Sequence, residues 1–269
     1  MVLYSRKRRF VMEHQTQYVA KKPDLQGNIA YSAEENETWS ILFERQMAGV
    51  HGTACSEYLT GLEQLALPTH RAPQCPEISA ALIKATGWTV SPVPALIDAD
   101  LFFTMLARRE FPAASFIRRR DELNYLREPD LFHEIFGHAP LLTHPDFADF
   151  TQAYGRLGAQ ASAAEQEILA RLYWFTIEFG LIQKPGQPLQ VYGAGIASSI
   201  GETAHALHDP HVDRRPFDVD DILRTDFRID KMQPHYFVLN HFSDLFETMD
   251  GDLLGHAREV VADESRSAA

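Results

Sequence analysis

The sequence predicts a mainly α fold of the α+β kind: a single helical catalytic domain with a few short β-strands. Three observations carry that expectation. Helix-start signals recur, since Ser32-Ala-Glu-Glu35 and Ser162-Ala-Ala-Glu165 both have the spacing of a capping box. Apolar residues repeat at helical intervals, as in Trp39, Leu42, Phe43, Met47 and Val50. Strand candidates are few and short, and neither a repeat nor a long linker divides the chain.

The elements follow in order. Residues 1–30 are polar and aperiodic and read as a flexible leader; residues 31–262 form the catalytic domain and 263–269 a frayed tail. The first helix opens at Ser32 and ends at Gly52. A second carries Leu59, Leu62 and Leu65 and stops at Pro68, and a third runs from about Pro76 to Thr86 with Gly87 as its stop. Thr89 to Ala95 contains Pro92 and Pro94 and reads as a loop. Asp98 caps a helix with Leu101, Phe102, Met105 and Leu106 on one stripe, ended by Pro112. Asp130 to Gly137 and Pro145 to Leu157 are helical, and the helix opened at Ser162 reaches Glu178. Leu189–Tyr192, Phe227–Ile229 and Tyr236–Leu239 are short strand candidates, and Ser243 to Val261 is a closing helix.

Composition bounds the function. With 269 residues and 45% hydrophobic content, the chain can bury a real core. A formal charge of −12 argues against nonspecific nucleic-acid binding. No apolar run reaches the roughly 18 residues of a membrane span. The basic start, Met1 to Phe10, lacks the apolar core of a secretory signal. Cys55 and Cys75 are the only cysteines and make neither a disulfide framework nor a Cys-x-x-Cys motif, so a cytoplasmic setting is expected.

The chemistry centres on His133-Glu-Ile-Phe-Gly-His138. Two imidazoles suit zinc, copper, iron or nickel. At about 100° per residue, positions five apart differ by about 140° on a regular helix. His133 and His138 therefore meet on one ion only if the helix loosens between them, and Gly137 is the expected break. A third arm is available in Glu178, the only acid between Glu167 and Lys184, in a mostly apolar stretch where a carboxylate needs a partner. Two histidines and a carboxylate make the facial set of non-haem ferrous oxygenases. The same set also suits a zinc hydrolase with Glu134 as general base, or a structural metal site in a binding protein.

The His133–His138 motif, preceded by Glu128-Pro-Asp130 and followed by Tyr173-Trp-Phe-Thr-Ile-Glu-Phe-Gly180 and Tyr192-Gly-Ala-Gly-Ile-Ala-Ser-Ser199, resembles the pterin-dependent aromatic amino acid hydroxylases. The likeness is strongest to the bacterial phenylalanine hydroxylases and covers roughly residues 30 to 245. It implies the following roles. His133, His138 and Glu178 hold Fe(2+). Arg118 clamps the substrate carboxylate, Pro129, Trp174 and Phe179 wall the aromatic pocket, and Ser198 contacts the substrate with Glu202 as its hydrogen-bonding neighbour. Phe102 stacks on a tetrahydropterin such as tetrahydrobiopterin, Glu134 and Tyr173 lie on the cofactor side, and Tyr236 is a polar neighbour of iron and pterin. The implied reaction is O2-dependent hydroxylation of L-phenylalanine to L-tyrosine, with the tryptophan and tyrosine hydroxylases as alternatives. Trp174 and Val238 favour phenylalanine. Leu126 and Arg127 stand where animal relatives carry Thr-Pro, and Ala197 stands where many have leucine, so pocket details differ. No heptad tail is present, so a monomer is expected. His205, His208 and His211 read as a solvated loop, and His144 as a helix-cap residue.

Overall fold

A computed structural model describes residues 18–94, 97–124, 126, 128–229 and 231–267. Most of it is helix. At the start of α1 (Ala33–Val50), Ser32 and Glu35 exchange the reciprocal bonds of the capping box. α2 (Ser56–Leu65) and α3 (Cys75–Thr86) follow, and Gly87, at φ 79°, closes α3 in the left-handed region. The leader is not free over its described part. Tyr18 stacks on Phe116 at 4.1 Å, the Lys21 backbone N–H donates to Ser115 Oγ at 2.9 Å, and Ile29 is buried. The rest of the expected leader, residues 1–17, lies outside the described residues.

The expected loop after α3 is instead a strand. β1 (Thr89–Val93) pairs in parallel with β2 (Glu110–Ala114), with Pro92 opposite Ala113 and Pro112 opposite Ser91. In a two-stranded ribbon each strand keeps an outer edge, and a proline whose nitrogen faces that edge costs no ladder bond. Between them runs α4 (Ala99–Ala107), capped by the Asp98 carboxylate. It ends before Arg109, whose φ of 58° turns the chain into β2, and not at Pro112.

α5 (Pro145–Gly158) lies so close to α4 that a side chain at Gly155 would put a Cβ 2.5 Å from the Ala107 nitrogen. α6 (Ala163–Tyr173) opens with the second capping box and continues as a turn of π-helix, Trp174–Glu178. Next come β3 (Leu181–Ile182), β4 (Gln190–Val191), α7 (Ala194–Ala197), α8 (Ile200–His208), β5 (Asp213–Pro216), α9 (Val219–Arg224) and β6 (His235–Leu239). The four strands form one sheet in the order β4-β3-β6-β5, antiparallel only between β3 and β4. Phe227–Ile229 is not a strand; Phe227 stacks on Trp174 at 4.5 Å, and that side-chain contact takes the place of a ladder.

The closing helix is two helices, α10 (Ser243–Asp250) and α11 (Leu253–Ser267). Gly251 interrupts them, and the Asp252 carboxylate, accepting from Gly255 N, restarts the second. α11 runs to Ser267, through most of the expected frayed tail. Buried Leu253, Ala257 and Val260 hold it, with Arg171–Glu264 and Arg224–Asp263 ion pairs near its end.

The core runs through all these layers. Trp39 of α1 meets Phe132 edge-on at 5.3 Å, and Phe132 stacks on Phe136 at 4.9 Å, so the segment bearing the histidines is packed from below by aromatic rings. No helix among the described residues is long and apolar enough to cross a membrane.

Candidate metal centre and adjoining cavity

The stretch bearing the histidines starts at Asp130, whose carboxylate accepts from His133 N at 3.1 Å and whose carbonyl accepts from Glu134 N at 3.0 Å. From His133 to His138 the chain makes one turn of π-helix. A π-helix closes its hydrogen bonds between residues five apart, which places such residues one above the other. That resolves the five-residue spacing. Gly137 contributes differently from the expected break: its φ is not in the left-handed region. A Cβ there would instead lie 2.9 Å from the Ala194 carbonyl oxygen, so its bareness lets α7 approach. The second arm is also π-helical, and Phe179 N donates to Trp174 O, five residues back, at 2.8 Å.

These turns bring the donor groups of three residues together, with each Glu178 oxygen facing a different histidine. His133 Nε2 and His138 Nε2 are 3.1 Å apart, Glu178 Oε2 is 3.4 Å from His133 Nε2, and Glu178 Oε1 is 3.2 Å from His138 Nε2. An ion bonded to all three at about 2.1 Å would have donors about 3.0–3.4 Å apart, between right-angle and tetrahedral geometry. The donor set therefore fits one divalent ion of the iron or zinc class. Glu134 is also near, with Oε2 3.9 Å from His138 Nε2, and with the two histidines it forms a second group that could ligate.

The environment prepares the ligands. Ser198 Oγ donates to the Ala194 carbonyl at 2.7 Å and lies 3.0 Å from His133 Nδ1. A hydroxyl has one proton, so toward His133 it accepts, Nδ1 carries the hydrogen and Nε2 keeps its lone pair for a metal. Burial pushes the His138 imidazole down, toward the neutral form that ligates. Phe111 covers that ring at 5.0 Å.

A cavity of about 420 Å³ opens beside His133 and Glu178. Its walls include Arg118, Pro129, Trp174, Phe179, Ser198 and Glu202, every residue expected at the substrate. Their partners differ in part from expectation. Arg118 presents its fork to Asp130, Nε to Oδ2 at 2.9 Å and Nη2 to Oδ1 at 2.8 Å, so only its outer edge remains for a ligand. Burial alone would raise Asp130, but the Arg118 guanidinium and two backbone donors outweigh it and hold the carboxyl below its usual range. Glu202 is not paired with Ser198, which is committed to His133 and Ala194. It accepts from Tyr236 Oη at 2.5 Å and from Gln233 N at 3.2 Å, and burial raises its carboxyl despite those bonds.

None of the residues expected at the cofactor lines this cavity, although Glu134 and Tyr173 both lie beside His138. Phe102 is fully buried on the inner stripe of α4, edge-on to Phe103 at 5.6 Å and to Tyr173 at 5.3 Å, and offers no open face for stacking. Tyr173 lies beside His138, ring centroids 6.2 Å apart, and its hydroxyl has no hydrogen-bond partner among the described residues. Tyr236 is buried behind Glu202 and does not reach the cavity. Arg127 lies outside the described residues. His208 and His211 are exposed as expected, but His205 is only partly so: its ring lies between Asp209 at 3.1 Å and the Gln233 carbonyl at 3.1 Å.

Sequence reasoning missed Asp130, Gln46 and Gln233. Asp130 stands three residues before His133, the spacing of a helix cap, and that signal could have found it. Gln46 is buried, lines the cavity and donates to the Ala197 carbonyl at 2.6 Å. Gln233 lies in an irregular segment with no periodic signal.

Comparison with known proteins agrees with this geometry. Residues 2–254 match the family model described as biopterin-dependent aromatic amino acid hydroxylase. The chain is 50% identical to the phenylalanine-4-hydroxylase of Vibrio cholerae over 248 residues, 92% of this chain and 86% of that one. Its fold matches the apo structure of the cold-active phenylalanine hydroxylase of Colwellia psychrerythraea with a TM-score of 0.87 and 51% identity, over 93% of this chain and 95% of that one. It also matches the Chromobacterium violaceum phenylalanine hydroxylase with bound oxidized Fe(III), TM-score 0.84 and 41% identity, over 89% of each chain. The hydrolase and structural-metal readings thereby fall away, and the chain belongs to the biopterin-dependent aromatic amino acid hydroxylases.

Proposed function

We propose that this chain hydroxylates L-phenylalanine to L-tyrosine with dioxygen and a tetrahydropterin, and that the residues around the cavity divide the work as follows. Half-identical relatives named phenylalanine-4-hydroxylase, matched over nearly the whole chain, carry the reaction, and the chain is a phenylalanine 4-monooxygenase. His133, His138 and Glu178 would hold the ferrous ion. When bound, iron and tetrahydrobiopterin together supply the electrons and the site at which dioxygen is activated.

The protein's own part is orientation and dryness. The outer edge of Arg118 takes the amino acid carboxylate, with Asp130 fixing the guanidinium behind it. Trp174, Phe179 and Pro129 hold the aromatic ring toward the metal corner. Trp174 is itself held, tilted on Phe179 at 4.6 Å and stacked on Phe227 at 4.5 Å. Ser198 keeps His133 in the ligating tautomer. The single observation that supports this reading best is that His133, Glu178 and all six expected substrate residues face one cavity. The buried free thiols of Cys55 and Cys75 support a cytoplasmic setting, and we expect a monomer, which gel filtration at assay concentration checks.

The test is an aerobic assay of iron-loaded protein with a tetrahydropterin and phenylalanine, tryptophan or tyrosine in turn, beside a zinc-loaded sample. Tyrosine formed from phenylalanine with iron and none with zinc is the expected result. Preferred turnover of tryptophan or tyrosine would move the substrate assignment within the family.

A further inference from the structure

Gln233 is 2% exposed and borders the cavity, and each of its polar groups has a partner. Its side-chain carbonyl accepts from the Trp174 indole N–H at 2.9 Å. Its side-chain amide donates to the carbonyls of Arg228 at 2.9 Å and Lys231 at 3.0 Å. Its backbone N–H donates to Glu202 Oε1 at 3.2 Å, and its backbone carbonyl lies 3.1 Å from His205 Nε2. The other His205 nitrogen faces the Asp209 carboxylate at 3.1 Å, so the imidazole ties the Gln233 backbone to the end of α8.

One residue thus joins two walls of the cavity, Trp174 on the second π-turn and Glu202 on α8. It also folds the segment that carries Ile229, Lys231 and Met232 at the cavity margin. A buried tryptophan N–H needs an acceptor. Here the acceptor is mounted on the segment at the cavity margin, so the angle of the indole plane and the position of that segment are set together. Phe227, on the same segment, stacks on the indole face at 4.5 Å and supports the same coupling from the other side.

We infer that Gln233 is a positioning residue for phenylalanine, acting through the Trp174 indole. The inference rests on the reading of Trp174 as a wall of the phenylalanine site. Gln233 touches neither the metal ligands nor, in this arrangement, the reacting ring, so its influence falls on the binding of the amino acid substrate and not on the tetrahydropterin or the metal.

The test is a cycle with Gln233→Met, which keeps volume and removes every side-chain hydrogen bond, and Trp174→Phe, which removes the indole N–H. The Michaelis constant for phenylalanine should rise about ten-fold in Gln233→Met, the size expected from the lost Trp174 hydrogen bond alone. That for the tetrahydropterin and kcat should stay within about two-fold. In the Trp174→Phe background, Gln233→Met should change the phenylalanine constant by less than about two-fold. An equal effect in both backgrounds, or a fall in kcat with the phenylalanine constant unchanged, would overturn the inference. If Gln233→Met does not fold, indole N–H exchange by NMR on the wild-type protein decides. A protected Trp174 signal that shifts on adding phenylalanine supports the coupling, and an unprotected or unresponsive one overturns it. Because that readout needs no turnover, failure of the inference is distinguishable from failure of the hydroxylase assay.

Discussion

One hydroxyl decides which nitrogen of His133 keeps the lone pair that a metal would need. Ser198 spends its proton on the Ala194 carbonyl and so accepts from His133 Nδ1. Such supports usually change metal affinity by about 10- to 100-fold. Ser198→Ala should therefore weaken iron by at least about ten-fold, read by competition with a chelator, while leaving the melting temperature of the metal-free protein nearly unchanged. The Arg118–Asp130 pair makes the opposite kind of case, since both groups are buried. Asp130→Asn leaves a buried guanidinium without its counter-charge and should cost about 3–5 kcal/mol in urea unfolding. At this scale the sequence was legible where residue type and spacing bring groups together, as with His133, His138 and Glu178, whose side chains meet as expected. It was not legible for Ser198's pairing with His133 or for Gln233, because each depends on a carbonyl or an indole brought from far along the chain.

The element that makes the site is the π-turn, used twice. Both segments that carry the proposed ligands, His133–His138 and Trp174–Glu178, adopt it. A regular helix would carry His138 away from His133, and the wider turn brings it back. The spacing itself signalled that the helix must loosen; the cause assigned to Gly137 did not hold. Gly137 is bare because α7 presses on it, and α7 leads directly into Ser198. Gly137→Ala should displace α7 by a few tenths of an ångström, cost about 1–3 kcal/mol and weaken iron binding. Thermal unfolding with and without iron checks both effects; unchanged values would mean that α7 yields freely. The misread β1 and β2 share another cause. Proline argues against a central strand, but not against an outward-facing position in a two-stranded ribbon.

On the scale of the whole molecule, the site is assembled from segments distant in sequence: the Arg118 region, the two π-turns, the α7–α8 junction and the segment before β6. Helix periodicity predicted most of the helices, because their apolar stripes and caps are local. It did not predict the four-stranded sheet, whose β3 and β4 are each two residues long and owe their pairing to tertiary context. Two separate stretches would meet at one ion, so metal binding should stabilise the native state by mass action. At about 100 times the dissociation constant the gain is about 2.7 kcal/mol. Iron removal should lower the melting temperature and reloading should restore it.

We propose that Glu178, on the second π-turn, completes the iron site with the two histidines. Glu134, 3.9 Å from His138, is the nearest competitor. Iron content after anaerobic loading and gel filtration, compared between wild type, Glu178→Gln and Glu134→Gln, tests this most directly. One iron per chain is expected in the wild type, with near-complete loss in Glu178→Gln and retention in Glu134→Gln. Retention in Glu178→Gln with loss in Glu134→Gln would contradict it and give the third ligand to the first turn alone.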